Sequence, residues 1–581
     1  MLFVDFEVFK HDWLAVIIDA NTQQEHVIVN DPEKLAKIYE ENKRNIWVGF
    51  NIKHYDQWIL KAILCGFNPK EVNDFIIEQN QPGWKYSSLL NKINLIIYDV
   101  MLTNDRGLKV FEGFMGHNIK ESSVPFNIER KLTPEEIEET IKYCRHDVEE
   151  TIKVFLHRKD EFEAHLGLVK LACKDKPLNL NLLSRTKVQL AAIILDATKR
   201  EYDDEFDIDF PPTLKINKYK SVLDWYADPN NRRYFTETGE KNQLEVMVAG
   251  VPHVFGWGGL HGAREKYHGE GFFLNMDVAS LYPSLMIRYE LSSRSIKDPK
   301  KYEEIYHTRL KYKAEGNSLQ LPLKLVLNGT YGAMKDPNNP LYDPRQANRV
   351  CVYGQLLLLD LIEKLEPHCE LIQSNTDGLL IKLPDTSNET FYQIADICKE
   401  WEERTGLQLE FEEYCRVFQK DVNNYVIVDV EGNYKSKGAY VKQLNDLDYD
   451  LPIVNKALIN KFIHNIPVEQ TINNCDDLRE FQMIAKITHK YTHLLYGRRK
   501  LIEKCIRVFA SKNHANPGIF KVNKATGKPE KFPDSPEHCF IFNDDVTNVK
   551  VPQKLDKQWY INLANKRLKD FGGDVGNMSL F

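Results

Sequence analysis

The stretch Phe272-Phe-Leu-Asn-Met-Asp277-Val-Ala-Ser-Leu-Tyr-Pro-Ser284 reads as a strand that ends in a carboxylate and runs into a Tyr-Pro turn. A second carboxylate, Asp377 in Ser374-Asn-Thr-Asp-Gly378, lies between two apolar strand-like runs, Leu371–Ser374 and Leu379–Leu383. Between these stretches, 302–314 and 319–331 are expected to be helical. On the second helix Lys324, Asn328 and Tyr331 recur at spacings of four and three, so they share one face. Arg309 and Lys313 stand at i and i+4 on the first. Tyr425–Val430 is a further strand candidate, and the alternation of strands and helices predicts an α/β fold.

Working outward, the chain has 581 residues, with 77 Lys+Arg against 84 Asp+Glu and a formal net charge of −7. At roughly 100–200 residues per domain, that length allows about three to five domains. With 43 % apolar and 28 % charged residues, wholesale disorder is excluded. No apolar run approaches the ~18 residues needed to cross a bilayer, and the N-terminus lacks a secretory pattern. No membrane role is expected, and a cytoplasmic location is. Ten cysteines without a CxxC pair argue against a zinc ribbon or a disulfide framework. The glycine-rich stretch 256–262 has His261 where a dinucleotide fingerprint needs its third glycine, and no P-loop, HExxH or nucleophile elbow occurs. Nicotinamide and ATPase readings therefore lose their support.

Charge is uneven along the chain. Residues 441–581 carry a net +6, against −13 for residues 1–440. The window 486–531 holds twelve basic residues, among them Arg498, Arg499, Lys500 and Arg507, and only Glu503 and Glu530 as acids. A window at +10 within an acidic chain points to a polyanion contact.

At the N-terminus, Leu2–Phe9, Trp13–Ile18, His26–Asn30, Ile46–Phe50 and Ile93–Val100 are predicted strands, and Asp56–Cys65 a helix. Thr133-Pro-Glu-Glu136 is a helix start, with a capping hydroxyl, proline at the first position and acids in the first turn. Asp5 and Glu7 lie two apart on a strand, so both leave one face. Like charges so placed are tolerated around a divalent cation. Asn51-Ile-Lys-His-Tyr55-Asp56 runs from a strand end into a helix, and Tyr143-Cys-Arg-His-Asp147 sets a phenol and a carboxylate on one helix face. Asp5, Glu7, Asp56 and Asp147 could thus hold two Mg²⁺ ions about 3.5–4 Å apart, with Tyr143 orienting a water for attack on a phosphodiester.

Asp5-Phe-Glu7, Asn51-x-x-x-Tyr55-Asp56 and Tyr143-x-x-x-Asp147 resemble, in order and spacing, the three motifs of the RNase H-like 3′–5′ exonuclease domain of replicative DNA polymerases. Asp277–Ser284 resembles motif A of family B DNA polymerases, Lys324–Gly332 motif B, and Ser374–Gly378 motif C. The resemblance implies that Asp277 and Asp377 bind the catalytic metals with the Val278 carbonyl, and that Ser280 and Leu281 offer backbone N–H groups to a triphosphate. It further implies that Tyr282 lies beneath the sugar and excludes a 2′-OH. Lys324, Asn328, Arg309 and Lys313 would meet the nucleotide. Lys435-Ser-Lys437-Gly-Ala-Tyr440 resembles the motif that grips duplex DNA, and Gly258-Gly259 a loop between exonuclease and palm; Asn51 and Tyr55 join the DNA contacts. One position departs from the family: motif C has Asn375 where the pattern has aspartate.

The resemblance implies a multidomain α/β chain: exonuclease over 1–165, a connecting region over 166–250, palm over 251–292 and 336–440, fingers over 293–335, and a basic thumb over 441–581. It implies DNA synthesis with proofreading, two Mg²⁺ per centre with Mn²⁺ able to substitute, and primer-template DNA and dNTPs as partners. Helicase, primase and single-strand-binding protein are expected accessories. With Asp5 so near the first residue, the compactness resembles viral and mobile-element members, so a phage replicase is expected. Two rivals remain: a nuclease or repair factor whose polymerase half serves as a DNA platform, and a protein-primed polymerase. Only 47 positions separate Asp277 from Lys324 and 49 separate Asn328 from Asp377, which leaves no room for the insertions of protein-primed members and favours a nucleic-acid primer.

Overall fold

The apolar run Leu2–Val8 (β1) pairs antiparallel with Trp13–Asp19 (β2), which pairs in turn with Glu25–Val29 (β3). Trp47–Gly49 (β4) adds parallel to β1, and Ile97–Asp99 (β5) parallel to β4. The sheet order β3-β2-β1-β4-β5 is the RNase H-like arrangement expected from the sequence. Helices Pro32–Asn42 (α1), Asp56–Leu64 (α2) and Pro69–Ile77 (α3) follow, and Leu108–Met115 (α4), Pro134–His157 (α5) and Lys159–Cys173 (α6) come after β5. Helix α5 starts as its sequence dictates. Glu136 N–H donates to Thr133 Oγ1 (3.2 Å) and Thr133 N–H to the Glu136 carboxylate (2.8 Å), closing a capping box. Trp47, Leu35, Ile59 and Ala15 lie in the core between sheet and helices.

The computed structural model describes residues 1–103, 105–174 and 176–572, and these pack as two compact units. The first comprises 1–186, 444–453 and 474–560, the second the remaining segments. In the second, Lys187–Ile194 (α7) and Lys220–Ala227 (α8) precede Gln243–Val248 (β6), Val251–Gly256 (β7), His261–Ala263 (β8) and the long Tyr267–Val278 (β9). Leu281–Arg288 (α9), Lys300–Ala314 (α10), Gln320–Met334 (α11) and Pro344–Leu365 (α12) come next, then the hairpin Glu370–Asn375 (β10) and Gly378–Lys382 (β11). Asn388–Thr405 (α13), Leu409–Asp421 (β12), Asn424–Val428 (β13) and Tyr434–Lys437 (β14) complete a nine-stranded sheet of order β14-β13-β12-β9-β11-β10-β8-β7-β6. Helix α12 is buried almost all round, which its unbroken Leu356–Leu359 run explains.

Met483–Lys486 (β15), Tyr491–Tyr496 (β16), Arg499–Lys500 (β17), Cys505–Ala510 (β18), Ile519–Asn523 (β19), Pro529–Lys531 (β20) and Cys539–Ile541 (β21) form two small sheets, β15-β18-β21 and β17-β16-β19-β20. They belong to the first unit, because β15 and β18 pack on α4. Packing divides the chain after Gln443, near the expected start of the last region at 441, and returns 454–473 and the segment beginning at Ile561 to the second unit. The region 166–250 does not act only as a connection, since β6 is the edge strand of the large sheet.

Candidate active sites

Asp5 and Glu7 leave one face of β1, and α5 lies beside them. Oxygens of Asp5 and Glu7 and the Cys144 sulfur lie within 4.8 Å of one another. Asp56, at the first position of α2, is buried with Oδ1 lacking any hydrogen-bond partner. Burial, then the Asp147 charge, lifts Asp5 to about 7, and burial lifts Asp147 to about 6. Burial and then Asp5 push Glu7 and Asp56 well above the ordinary carboxylate range. So dense a set of hard oxygen donors, one of them orphaned, fits a divalent cation held by Asp5, Glu7, Asp56 and Asp147.

Lys109, Glu112 and Asp99 shape this centre and were not read from the sequence. Lys109 on α4 donates to Asp147 Oδ1 (2.5 Å) and Glu112 Oε1 (3.1 Å), and its ammonium lies 4.6 Å from the Tyr143 ring centroid. Burial works against that cation, but the Asp147 and Glu112 charges outweigh it and raise its pKa. Nothing local marks Lys109, which lies 38 residues from Asp147. Asp99, at the end of β5, accepts from Asn51 N–H (2.8 Å) and Lys53 N–H (3.0 Å) and so pins the loop before Asp56. Its signal was legible: a carboxylate at the C-terminal end of a parallel strand. Asn51 itself is left-handed (φ +70°), and the Tyr55 hydroxyl donates to Asn73 Oδ1 (2.8 Å).

In the second unit Asp277 ends β9 and Asp377 occupies the β10–β11 turn. Val278 N–H donates to the Asp377 carbonyl (2.7 Å), so the two carboxylate residues are joined through the main chain. Gly378 pairs with Asp277, and a Cβ there would lie 1.8 Å from Asp277 Oδ1; only glycine admits that carboxylate. Burial, then the Asp377 charge, raises Asp277 above its ordinary value, while Asn275 donates to its Oδ2 (2.8 Å). Burial also raises Asp377. A partly buried Asp277 raised by the neighbouring Asp377 charge fits a cation shared by the two.

Beside Asp377 opens a cavity of about 320 Å³ lined by Ser280, Leu281, Tyr282, Arg309, Lys324, Asn328 and Tyr331. Ser280 is left-handed (φ +51°) at the start of α9, and Arg309 Nη1 donates to its Oγ (3.0 Å). Arg309 is 8 % exposed, its Nε has no partner, and no described carboxylate pairs with it. A buried guanidinium without a counter-charge fits an anion in this cavity. The Tyr282 and Tyr331 ring centroids lie 4.3 Å apart. Lys313 does not line the cavity; it is exposed and lies 3.9 Å from Glu410.

Asn375 lines a cavity of about 180 Å³ together with Asp277, Asp377, Tyr425 and Lys435. Lys435 is paired with Glu412 (2.5 Å), and Tyr440 lies under Arg567, 4.6 Å from the ring centroid. Gly258 and Gly259 form a loop against the β10–β11 turn. The Gly258 carbonyl accepts from Gln355 (2.6 Å), and Gly259 has room only for hydrogen beside Thr376. Arg498, Arg499 and Lys500 are exposed around the Gly497 turn, without side-chain ion pairs among the described residues. Arg507, counted in the same basic window, is fully buried and faces no solvent.

In comparison with known proteins, the likeness of this chain is to DNA polymerases. It is 26 % identical over 350 residues to DNA polymerase 1 of Aeropyrum pernix, a match covering 50 % of this chain and 36 % of that protein. It is 25 % identical over 200 residues to DNA polymerase 1 of Sulfurisphaera ohwakuensis (33 % of this chain, 21 % of that protein) and 24 % over 293 residues to that of Saccharolobus solfataricus (42 % and 32 %). The chain thus spans about a third or less of the length of these curated relatives. A solved family B DNA polymerase from the hyperthermophilic archaeon Pyrobaculum calidifontis superposes with a TM-score of 0.43 and 14 % identity, over 100 % of this chain and 78 % of that one. No family model matches. Among the described residues no helix is long and apolar enough to cross a membrane.

Proposed function

We propose that this chain is a family B DNA polymerase that extends a nucleic-acid primer on a DNA template and removes mismatched 3′ ends with a separate 3′–5′ exonuclease centre. The observation that carries the reading is the cavity beside Asp377. There Asp377 meets Lys324 and the buried Arg309, which no described carboxylate faces, the charge pattern for a metal-bound triphosphate, and the Val278 N–H ties the residue after Asp277 to the Asp377 carbonyl. The likeness to DNA polymerases supports the same reading.

Asp277 and Asp377, with the Val278 carbonyl, would hold Mg²⁺ (Mn²⁺ substituting) at one centre, and Asp5, Glu7, Asp56 and Asp147 at the other. The bound ions would neutralise developing phosphate charge and lower the pKa of the attacking oxygen. Arg309 and Lys324 bind the triphosphate, the first-turn N–H groups of Ser280 and Leu281 face it, and Asn328 borders the nucleotide. Tyr282, braced on Tyr331, bars a 2′-OH. In the nuclease centre Tyr143 orients the attacking water and Lys109 holds Asp147. Lys437, with Lys435 and Tyr440, faces the duplex from β14 and the loop after it, and Arg498, Arg499 and Lys500 meet backbone phosphates. Viral DNA replication, with helicase, primase and single-strand-binding protein as accessories, is the setting the motif resemblance suggests.

Asn375 favours one rival, a nuclease that keeps its polymerase half as a DNA platform. A primer-extension gel in Mg²⁺, with and without dNTPs, separates the two. The proposal expects extension with dNTPs and shortening without them. Shortening under both conditions would favour the rival, and neither would refute both.

A further inference from the structure

Arg507 is the one member of the basic window that is wholly buried, at 0 % exposure, and the proposed chemistry gives it no task. Its Nε donates to Gln482 Oε1 (3.0 Å), Nη1 to the Asp544 carbonyl (2.7 Å), and Nη2 to the carbonyls of Gly113 (3.1 Å) and His117 (2.7 Å). Two neighbours aim at the same place. Arg479 donates to the Phe114 carbonyl through Nε (3.2 Å) and Nη2 (2.6 Å), and Gln482 Nε2 reaches that oxygen at 3.3 Å.

Gly113 and Phe114 are in the last turn of α4, where the Gly113 carbonyl also accepts from the capping Gly116 N–H (3.1 Å) and the helix dipole favours cations. Two guanidiniums and an amide from some 365 to 394 residues away thus cap one short helix. The contact leaves no slack: a Cβ on Gly113 would lie 2.8 Å from Ile484 Cδ1 of β15. Helix α4 is also the element that carries Lys109 and Glu112 to Asp147 and Tyr143. Apolar packing would cover α4 equally well. Directed bonds to individual carbonyls do more, because they fix where α4 sits along its own axis, and with it Lys109.

We propose that Arg507, assisted by Arg479 and Gln482, is a positioning residue of the nuclease centre, acting through the C-terminal end of α4 on Lys109 and Asp147. The small β-sheets of the C-terminal region would then be a working part of the nuclease and not only a grip for duplex DNA. This inference rests on the nuclease reading above.

The test compares wild type, Arg507→Met, Arg507→Lys and the more exposed Arg479→Gln, all as the full chain. Shortening of a saturating single-stranded 3′ end and primer extension are measured on the same preparations, and hydrogen exchange is followed over 108–121. Arg507→Met should lower the shortening rate about ten- to a hundredfold at unchanged KM, the penalty of roughly ångström misplacement. Extension should hold, and exchange should quicken in α4 but not in β1. Arg507→Lys should recover part of the rate, and Arg479→Gln should show the same defect more weakly. Unchanged shortening in both Arg507→Met and Arg479→Gln, or parallel loss of extension and shortening, would overturn the proposal. Absence of shortening in the wild type would instead refute the nuclease reading, and this inference with it.

Discussion

In the first unit Asp5 and Glu7 cluster on one strand, Asp56 and Asp147 come from two helices nearby, and burial drives all four above their ordinary pKa range. In the second unit Asp277 ends β9 and Asp377 stands in the β10–β11 turn beside it, both open to solvent in part, with the Val278 N–H donating to the Asp377 carbonyl. The first centre accumulates charge that only protons, Lys109 or a bound cation can offset. The second keeps less charge and relies on the sheet for geometry. The contrast teaches that two centres with the same proposed ligand chemistry should respond differently to perturbation: the proposed nuclease centre to anything that alters charge, the proposed polymerase centre to anything that shifts the β9–β11 register.

The largest expected effect is at the polymerase centre. Asp377→Ala removes one of only two carboxylates and should cost at least ~10³ in extension rate, about 4 kcal/mol of barrier, while shortening persists. Near-normal extension would dissolve the contrast, since the sheet alone would then be enough. Asn375→Asp should change extension only slightly, because Asp277 and Asp377 are proposed to hold the metal without a contact from position 375.

Replacing Tyr282 by valine should raise ribonucleotide incorporation by about ten- to a hundredfold, the usual scale of pocket discrimination. Unaltered discrimination would remove Tyr282 from sugar selection and leave its stacking on Tyr331 as packing.

A subtler effect separates the centres through pH. Asp5 and Asp147 have folded-state values of about 7 and about 6, against 3.8 ordinarily. At these two carboxylates the folded state holds protons that the unfolded state has released between about pH 4 and 7, so their contribution to stability falls as pH rises through that window. Melting in a chelator should shift down from pH 5 to pH 8, and Asp5→Asn should flatten the shift. Mg²⁺ at pH 8 should restore the melting temperature by mass action. A profile untouched by Asp5→Asn would mean that these carboxylates share no charge burden.

Much of this was legible in the sequence, for physical reasons that differ by region. Thr133-Pro-Glu-Glu136 announces α5 because capping chemistry is local, and the predicted strand Phe272–Asp277 lies wholly within β9. The carboxylates themselves could be picked out because their spacing on strand or helix fixes which face they leave. Lys109, by contrast, acts across 38 residues and has no local signature. Arg507 was misleading: charge counting places it on a basic surface, whereas the fold buries it against α4. Lys313 has the right helical spacing but pairs loosely with Glu410, because periodicity gives a face and not a direction in space. The smallest effect belongs to residues that composition did mark. Neutralising Arg498, Arg499 and Lys500 should flatten the salt dependence of duplex binding by up to ~0.9 per lost phosphate contact. An unchanged slope would leave them merely solvated.

The central claim is that one chain holds two independent centres. It is tested most directly by the double variant Asp5→Ala, Glu7→Ala, assayed on a single preparation with a mismatched 3′ end in Mg²⁺. The account predicts that shortening without dNTPs disappears while extension of a matched primer proceeds at the wild-type rate and misincorporation rises. Continued Mg²⁺-dependent shortening in a homogeneous preparation, or loss of extension together with shortening, would contradict it.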